Sequence, residues 1–210
     1  MDNTLEKISN LYSDNLSEHG DQSKAVGWPT PESQELRFEK LTEAAIIDKD
    51  KPISINDYGC GYGAHLDYLL SNGFNVKTYN GYDLSEEMLS KAKKRLASFK
   101  GELNLFQASE LSTRADYTFV SGTFNVRFES NDKEWLEFIK QKLAMMNQFS
   151  SKGFSFNLLS KYVDWEEPHL FYGDPCFWFD FVKSNLARRV SLLHDYPLYE
   201  WTIVAREGLE

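Results

Sequence analysis

Two acids and three glycines hold the spacing most suggestive of chemistry in this chain. Asp57 ends the apolar run Ile53-Ser-Ile-Asn-Asp57, and Gly59, Gly61 and Gly63 alternate immediately after it. Glycines at a strand-to-helix turn let the backbone bend sharply and approach a ligand with no Cβ in the way. A second acid, Asp83, ends the next strand candidate about 20 residues after the turn, where a doubly wound sheet places a carboxylate that accepts ribose hydroxyls. The chemistry on offer is nucleoside binding. The dinucleotide fingerprint Gly-x-Gly-x-x-Gly fails, because Ala64 stands three positions after Gly61 and a helix continues through His65-Leu66. Polar residues just past the carboxyl ends of strands are the ones able to touch a second reactant. Asn125, in Ser121-Gly-Thr-Phe-Asn-Val-Arg127, could orient such an acceptor or serve as a polar turn residue. His194 closes the run Arg189-Val-Ser-Leu-Leu-His194 beside Asp195. It is a candidate base for a hydroxyl acceptor, since histidine titrates near neutrality and a carboxylate can fix its tautomer. Its alternative role is a hydrogen bond to the turn before Pro197. Cys60 and Cys176 match no zinc or disulfide spacing, no acidic metal cluster is legible, and no metal is expected.

The elements needed to hold these residues can be read from periodicity. Leu5, Ile8, Leu11 and Tyr12 recur at helical spacing, and a break falls around Gly20, Gly27 and Trp28-Pro29. Thr30-Pro31 supplies an N-cap and a first-turn proline for a second helix carrying Leu36, Leu41, Ala44, Ala45 and Ile47. From residue 53 onward, strands are expected over 53–57, 79–83, 103–107, 117–121, 154–158, 190–193 and 201–205. Between them fall a helix from Gly63 to Leu70, one capped by Ser85 with Met88, Ala92, Leu96 and Phe99 on one face, a long one marked by Trp135 to Phe149, and one opened by Asp174-Pro175 and running to about Arg188. Strands alternating with helices imply a parallel sheet covered on both faces, and the closing strand pair, joined by a short link around Pro197, should be antiparallel. The expected fold is therefore α/β, a doubly wound, seven-stranded mixed sheet, with residues 1–50 as a helical preamble and 51–210 as the main domain.

The motif series sharpens this. Asp57-x-Gly-x-Gly-x-Gly63, then Tyr82-Asp83-Leu-Ser-Glu-Glu-Met88, Gln107-Ala-Ser-Glu-Leu111 and Asp116-Tyr-Thr-Phe-Val-Ser-Gly122 occur in this order. The segment from about Ile53 to Ser160 resembles the class I S-adenosylmethionine-dependent methyltransferases, whose sheet is Rossmann-like with its last strand antiparallel. The resemblance implies S-adenosylmethionine as cofactor, with Gly59, Gly61 and Gly63 letting the loop pack against the methionyl part and ribose. It implies Asp57 orienting that loop and the amino-acid end, Asp83 accepting both ribose hydroxyls, and Leu84 or Met88 covering the adenine. Ser109, standing where the family usually carries an Asp, and Glu110 would meet the adenine edge, and Gly122 would lie beside the methyl donor. It also implies that the N-terminal helices form a lid, with Tyr12, Trp28, Gln34 and Arg37 facing the cofactor mouth and Arg37 available to a carboxylate. A binding subunit without methyl transfer, or another group transfer such as aminopropyl transfer, is the alternative.

Composition bears on the acceptor. The 210 residues carry 23 Lys plus Arg against 32 Asp plus Glu, a net charge of -9. That argues against duplex nucleic acid and against an anionic membrane surface as partners. DNA amino-methyltransferases carry an Asn/Asp-Pro-Pro-aromatic motif after the fourth strand, and that place here lacks proline. A small-molecule or saccharide acceptor, methylated on oxygen or nitrogen, is the expectation, in a cytoplasmic protein without signal peptide or membrane span. The aromatics between Tyr162 and Phe181, interleaved with acids, read either as an acceptor pocket or as a helix burying one aromatic stripe.

Overall fold

A computed structural model describes residues 2–207; Met1 and residues 208–210, the outer ends of the two expected segments, lie outside the described residues. Helix α1 (Asp2–His19) is followed by a 3-10 turn (Ser23–Val26), α2 (Pro31–Thr42) and a second 3-10 segment (Glu43–Asp48). Then come β1 (Ile53–Tyr58), α3 (Ala64–Ser71), β2 (Val76–Asp83), α4 (Glu86–Arg95), β3 (Glu102–Gln107) and β4 (Ala115–Val120). The chain closes with α5 (Asp132–Phe149), β5 (Ser150–Ser160), β6 (Tyr172–Gly173), α6 (Pro175–Asn185), β7 (Arg189–Leu193) and β8 (Glu200–Arg206).

The sheet order is β3-β2-β1-β4-β5-β8-β7. Strands β1 to β5 pair in parallel, and β8 runs antiparallel between β5 and β7. The seven expected strands are all present. An eighth, the two-residue β6, pairs with the end of β5; it is too short to leave a periodic signal. The order reverses between β1 and β4, so the loops after these strands diverge and leave a crevice at their carboxyl ends.

Side-chain alternation on the strands builds two cores. Phe154, Phe156 and Leu158 of β5 and Trp201, Ile203 and Ala205 of β8 face α5 and α6, where Trp135, Ile139, Leu143, Trp178 and Val182 are buried. On the other face, Ile53, Ile55, Tyr117, Phe119 and Val204 meet Leu41, Ala44 and Ala45, together with Leu66 and Leu69 of α3. Residues 31–48 are thus a packed layer of the sheet, whereas α1 lies across the crevice. A ladder of amides crosses three strands: Asn80 Nδ2 donates to Asn56 Oδ1 at 3.0 Å and Asn104 Nδ2 to Asn80 Oδ1 at 3.1 Å.

Three N-caps expected from sequence form. Thr30 accepts from Ser33 N, Ser85 from Met88 N, and Asp174 from Cys176 N and Phe177 N. Ser85 also hydrogen-bonds Ser13 of α1 at 2.9 Å, so it fixes both the start of α4 and the seat of α1. Ser85→Ala should cost about 1 kcal/mol and lower Tm by roughly 2–4 °C for a chain of this size. A thermal melt unchanged to within about 1 °C would show that water replaces the cap without loss.

Candidate functional site

The glycine turn is bound to the end of β2 by three amides, and a fourth, from the start of α4, meets the same carboxylate. Gly59 N and Cys60 N both donate to Tyr82 O, at 2.8 and 3.0 Å. Gly61 N donates to Asp83 Oδ2 at 2.8 Å, and Ser85 N to Asp83 Oδ1 at 2.9 Å. Gly59 has φ +78°, and a Cβ there would fall 2.1 Å from Thr123 Oγ1, so only glycine lets the loops after β1 and β4 meet. Each Asp83 oxygen keeps lone-pair capacity after accepting one amide. Burial holds the Asp83 carboxyl above its ordinary value, against the lowering effect of the Ser85 and Gly61 amides.

Asp83 stands in the wall of a cleft of about 80 Å³. Its floor includes Tyr58, Gly59 and Gly61, and its sides Leu84, Met88 and Ala108. Leu5, Ile8, Ser9 and Tyr12 of α1 roof it, while Trp135, Phe138, Ser121 and Thr123 complete the lining. Burial, with Asp83 close by, pushes the Tyr12 hydroxyl up to about 12. A smaller cavity of about 30 Å³ adjoins it, sharing Gly59, Gly61, Val26 and Ser121 and adding Asp57, His65, Gln34 and Trp28. Asp57 is 2% exposed, and its Oδ2 accepts the Tyr79 hydroxyl at 2.5 Å. The Cys60 thiol is held well above its ordinary value by burial and by Asp83, which leaves it a poor nucleophile. Among the described residues, no three His, Cys, Asp or Glu side chains converge as a metal site would require.

Of the residues singled out from sequence, Gly59, Gly61, Asp83, Leu84 and Met88 line the cleft under α1, and Asp57 the adjoining cavity. Gly63 and Gly122 line neither. Gly63 (φ +83°) lies against Leu96, and Gly122 (φ +70°) is covered by Trp28, whose Cζ2 would be 2.4 Å from a Cβ there. Ser109 and Glu110 do not reach the cleft; Ala108 takes that wall. The Ser109 carbonyl accepts Tyr58 Oη and Lys142 Nζ, and the exposed Glu110 carboxylate pairs with Lys142, so both are drawn toward α5. Asn125 is buried, with Oδ1 accepting from Leu159 N and its carbonyl from Phe171 N, which ties the loops after β4 and β5 together. Arg37 does not face the cleft as a free cation: it forms a buried pair with Glu200 and stacks on Trp28, 3.7 Å from the ring centroid.

His194 lies at the carboxyl end of β7, the edge strand, exposed and 6.0 Å from the Tyr162 ring. Strands β5 and β8 separate β7 from β4, about 14 Å at the usual strand spacing. That distance, and the exposure, remove it from any group held in the cleft. His194→Ala should therefore leave turnover within about twofold of wild type in a methyl-transfer assay, whereas a positioned base would cost about 10²-fold or more. The 162–181 aromatics also divide differently from a pocket wall. Trp178 and Phe171 join the core, while Tyr162 and Trp165 are 60% and 67% exposed. The aromatic lining comes instead from Tyr12, Tyr58, Tyr82, Trp135 and Phe138, of which Trp135 and Phe138 at helical spacing look like ordinary core.

Fold and cleft together define a nucleoside-binding doubly wound α/β protein. Residues 55–148 match the methyltransferase domain family. A Mycobacterium tuberculosis protein named as a methyltransferase is 46% identical over 167 residues, which cover 78% of this chain and 98% of that protein. The chain belongs to the class I S-adenosylmethionine-dependent methyltransferases. Among solved structures, magnesium protoporphyrin IX methyltransferase from Synechocystis with bound S-adenosylmethionine superposes with TM-score 0.67 at 13% identity, covering 98% of this chain and 97% of that one. The methyltransferase domain of bacterial Hen1 gives TM-score 0.61 at 18% identity, over 83% and 98% of the two chains. No described helix is long and apolar enough to cross a membrane.

Proposed function

We propose that this methyltransferase acts on a small-molecule or saccharide acceptor, at oxygen or nitrogen. The observation that carries this reading is the roofed cleft. Helix α1 and the 3-10 turn close over it, and neither it nor the adjoining cavity has a Lys or Arg among its described lining residues. A nucleic-acid acceptor calls for an open, basic approach, and the chain carries net charge -9. Relatives of similar fold act on acceptors as different as a porphyrin and RNA by their names, so the fold itself does not choose.

Bound S-adenosylmethionine supplies an electrophilic methyl group on its sulfonium sulfur. In this reading Asp83 accepts the ribose hydroxyls with the lone pairs left after Gly61 and Ser85. Leu84 and Met88 pack on one side of the adenine, while Leu5, Ile8 and Tyr12 of α1 cover the nucleoside as a lid. Residues 2–28 are the lid proper, because α2 is part of the sheet's helix layer. Gly59 and Gly61 bring the loop backbone against the ribose, and Asp57 faces the amino-acid end. With no His or Lys among the described residues lining the cleft, the protein contributes chiefly position: an acceptor lone pair in line with the methyl and water excluded by the roof.

The test is incubation with methyl-labelled S-adenosylmethionine and two acceptor pools, a metabolite extract with oligosaccharides and a total RNA preparation. Label in the first pool alone supports the reading. Label in RNA, or binding of the cofactor with no transfer to either pool, overturns it.

A further inference from the structure

Tyr162 and Trp165 stand out into solvent from the loop after β5, and Tyr199, 58% exposed, from the turn between β7 and β8. These side chains are neighbours. Ser160 N donates to Tyr199 O at 2.9 Å, and the Tyr199 hydroxyl lies 3.5 Å from Asp164 Oδ2. The loop bearing Tyr162 and Trp165 is pinned at both ends. Lys161 pairs with Asp174 at 2.6 Å on one side; on the other, Arg127 N and Phe128 N donate to His169 O, and Phe171 N to Asn125 O. Exposed aromatic surface grouped in this way marks an interaction site, whereas scattered single residues do not. A loop already ordered in the free protein lowers the cost of binding there. The group lies at the carboxyl edge of the sheet that also carries the cleft, one strand from β4 at Tyr162 and two at Tyr199. Glu200, next to Tyr199, holds the Arg37 that stacks on Trp28 at the small cavity.

The chemistry around the rings selects the occupant. Asp164, Glu166 and Glu167 are exposed on the same loop, and Lys161 is already paired, so phosphate or sulfate groups are repelled. Ionised carboxylates only accept hydrogen bonds and call for donors on the ligand. Tyr and Trp offer flat apolar faces with a polar tip. A sugar ring meets both demands, with its C–H face on an aromatic ring and its rim of hydroxyls donating to the acids. A basic peptide matches less well, because Lys161 Nζ stands 5.2 Å over the Tyr162 ring and repels a second cation. We propose that Tyr162, Trp165 and Tyr199 form a platform for a neutral oligosaccharide, with Asp164, Glu166 and Glu167 accepting its hydroxyls. This rests on the reading of the protein as acting on a small-molecule or saccharide acceptor, and narrows it to the second. The platform holds sugar units that do not react and so positions the end of the chain that reaches the cleft, the use to which binding remote from the reacting atoms is put.

Binding to a printed array of neutral oligosaccharides, with poly-lysine as a second probe, reads the platform without turnover. Wild type should bind neutral glycans and leave poly-lysine unbound. Trp165→Ala and Tyr199→Ala should each weaken glycan binding about tenfold or more, and Trp165→Phe, which keeps a ring, should recover most of the loss. Neither residue lines the cleft or the small cavity, so calorimetry should find S-adenosylhomocysteine affinity within about twofold of wild type in each variant. Poly-lysine binding with a blank array would make the patch a surface for basic peptides and overturn the proposal. So would binding of neither probe, or glycan binding that both alanine variants leave unchanged. The acceptor reading is judged separately, by transfer of labelled methyl to the two pools. Label in oligosaccharides with KM unchanged in both alanine variants would remove the platform and leave that reading standing. Label in RNA alone would remove both.

Discussion

Asp83→Ala should weaken S-adenosylhomocysteine binding about 100-fold or more. An ionised carboxylate accepting two ribose hydroxyls contributes roughly 1.5–3 kcal/mol per bond, and about 1.4 kcal/mol is a factor of ten in affinity. The loss is compounded by the loop, because Asp83 also receives Gly61 N and Ser85 N, and alanine leaves both amides without an acceptor. Asp83→Asn preserves the shape and one acceptor oxygen, but its NH2 faces either Gly61 N or Ser85 N and loses that bond, so it should fold less stably than wild type and still bind weakly. The pH dependence follows from burial, which raises the folded-state pKa of Asp83 above its unfolded value. The folded chain then holds this proton more tightly than the unfolded chain, so the group's contribution to stability is present at low pH and lost as pH rises through the folded pKa. Ligand binding runs the other way. It needs the ionised form, and affinity should fall as pH drops through that raised value, above the range where an ordinary aspartate titrates. Calorimetric titrations stepped downward from neutral pH should show this decline in wild type and its absence in Asp83→Asn. Unchanged affinity in Asp83→Ala would move the ribose site elsewhere.

The strands and caps were legible because their signals are local. Thr30-Pro31, Ser85 and Asp174-Pro175 each place a side-chain acceptor ahead of a helical apolar pattern, and each forms the expected cap. The positions of Asp57, Gly59, Gly61 and Asp83 were legible for a related reason, since a strand end and the following turn are contiguous in sequence. What could not be read are side chains recruited from far along the chain. Trp135 and Phe138 reach the cleft from α5, and Leu5 and Ile8 from α1, yet their spacing is that of any buried helix face. His65 offers no partner in the sequence because it has none in the fold either. Ser109 and Glu110 show the converse: the motif is in register, and Lys142, more than 30 residues on, contacts both from α5. Arg37 is the largest such case, since its partner lies 163 residues away.

That partnership predicts the largest effect on stability. The Arg37 guanidinium donates through Nε to both Glu200 oxygens at 2.9 Å and through a terminal nitrogen to Oε1 at 2.6 Å, with side chains 7% and 1% exposed. Glu200 Oε2 also accepts Asn157 Nδ2 at 2.6 Å, and Asn157 Oδ1 accepts Gly122 N at 2.7 Å. The network therefore joins α2, β8, β5 and the loop after β4, and through the Trp28 stack it holds the residue that covers Gly122. Removing one partner of a buried pair leaves an uncompensated charge and costs about 3–5 kcal/mol, while replacing both with apolar groups is often close to neutral. Arg37→Met and Glu200→Leu should each destabilise by that amount in denaturant titration. The double variant should recover about 2 kcal/mol or more of the summed loss, limited by the Asn157 amide it leaves unpaired. Arg37→Met should also weaken S-adenosylhomocysteine binding, because Trp28 loses the cation beneath it and borders the small cavity. Singles that unfold within about 1 kcal/mol of wild type would show that water reaches the pair. Strict additivity in the double variant would show that the two side chains act apart, and the loop at Gly122 would then be held by Asn157 alone.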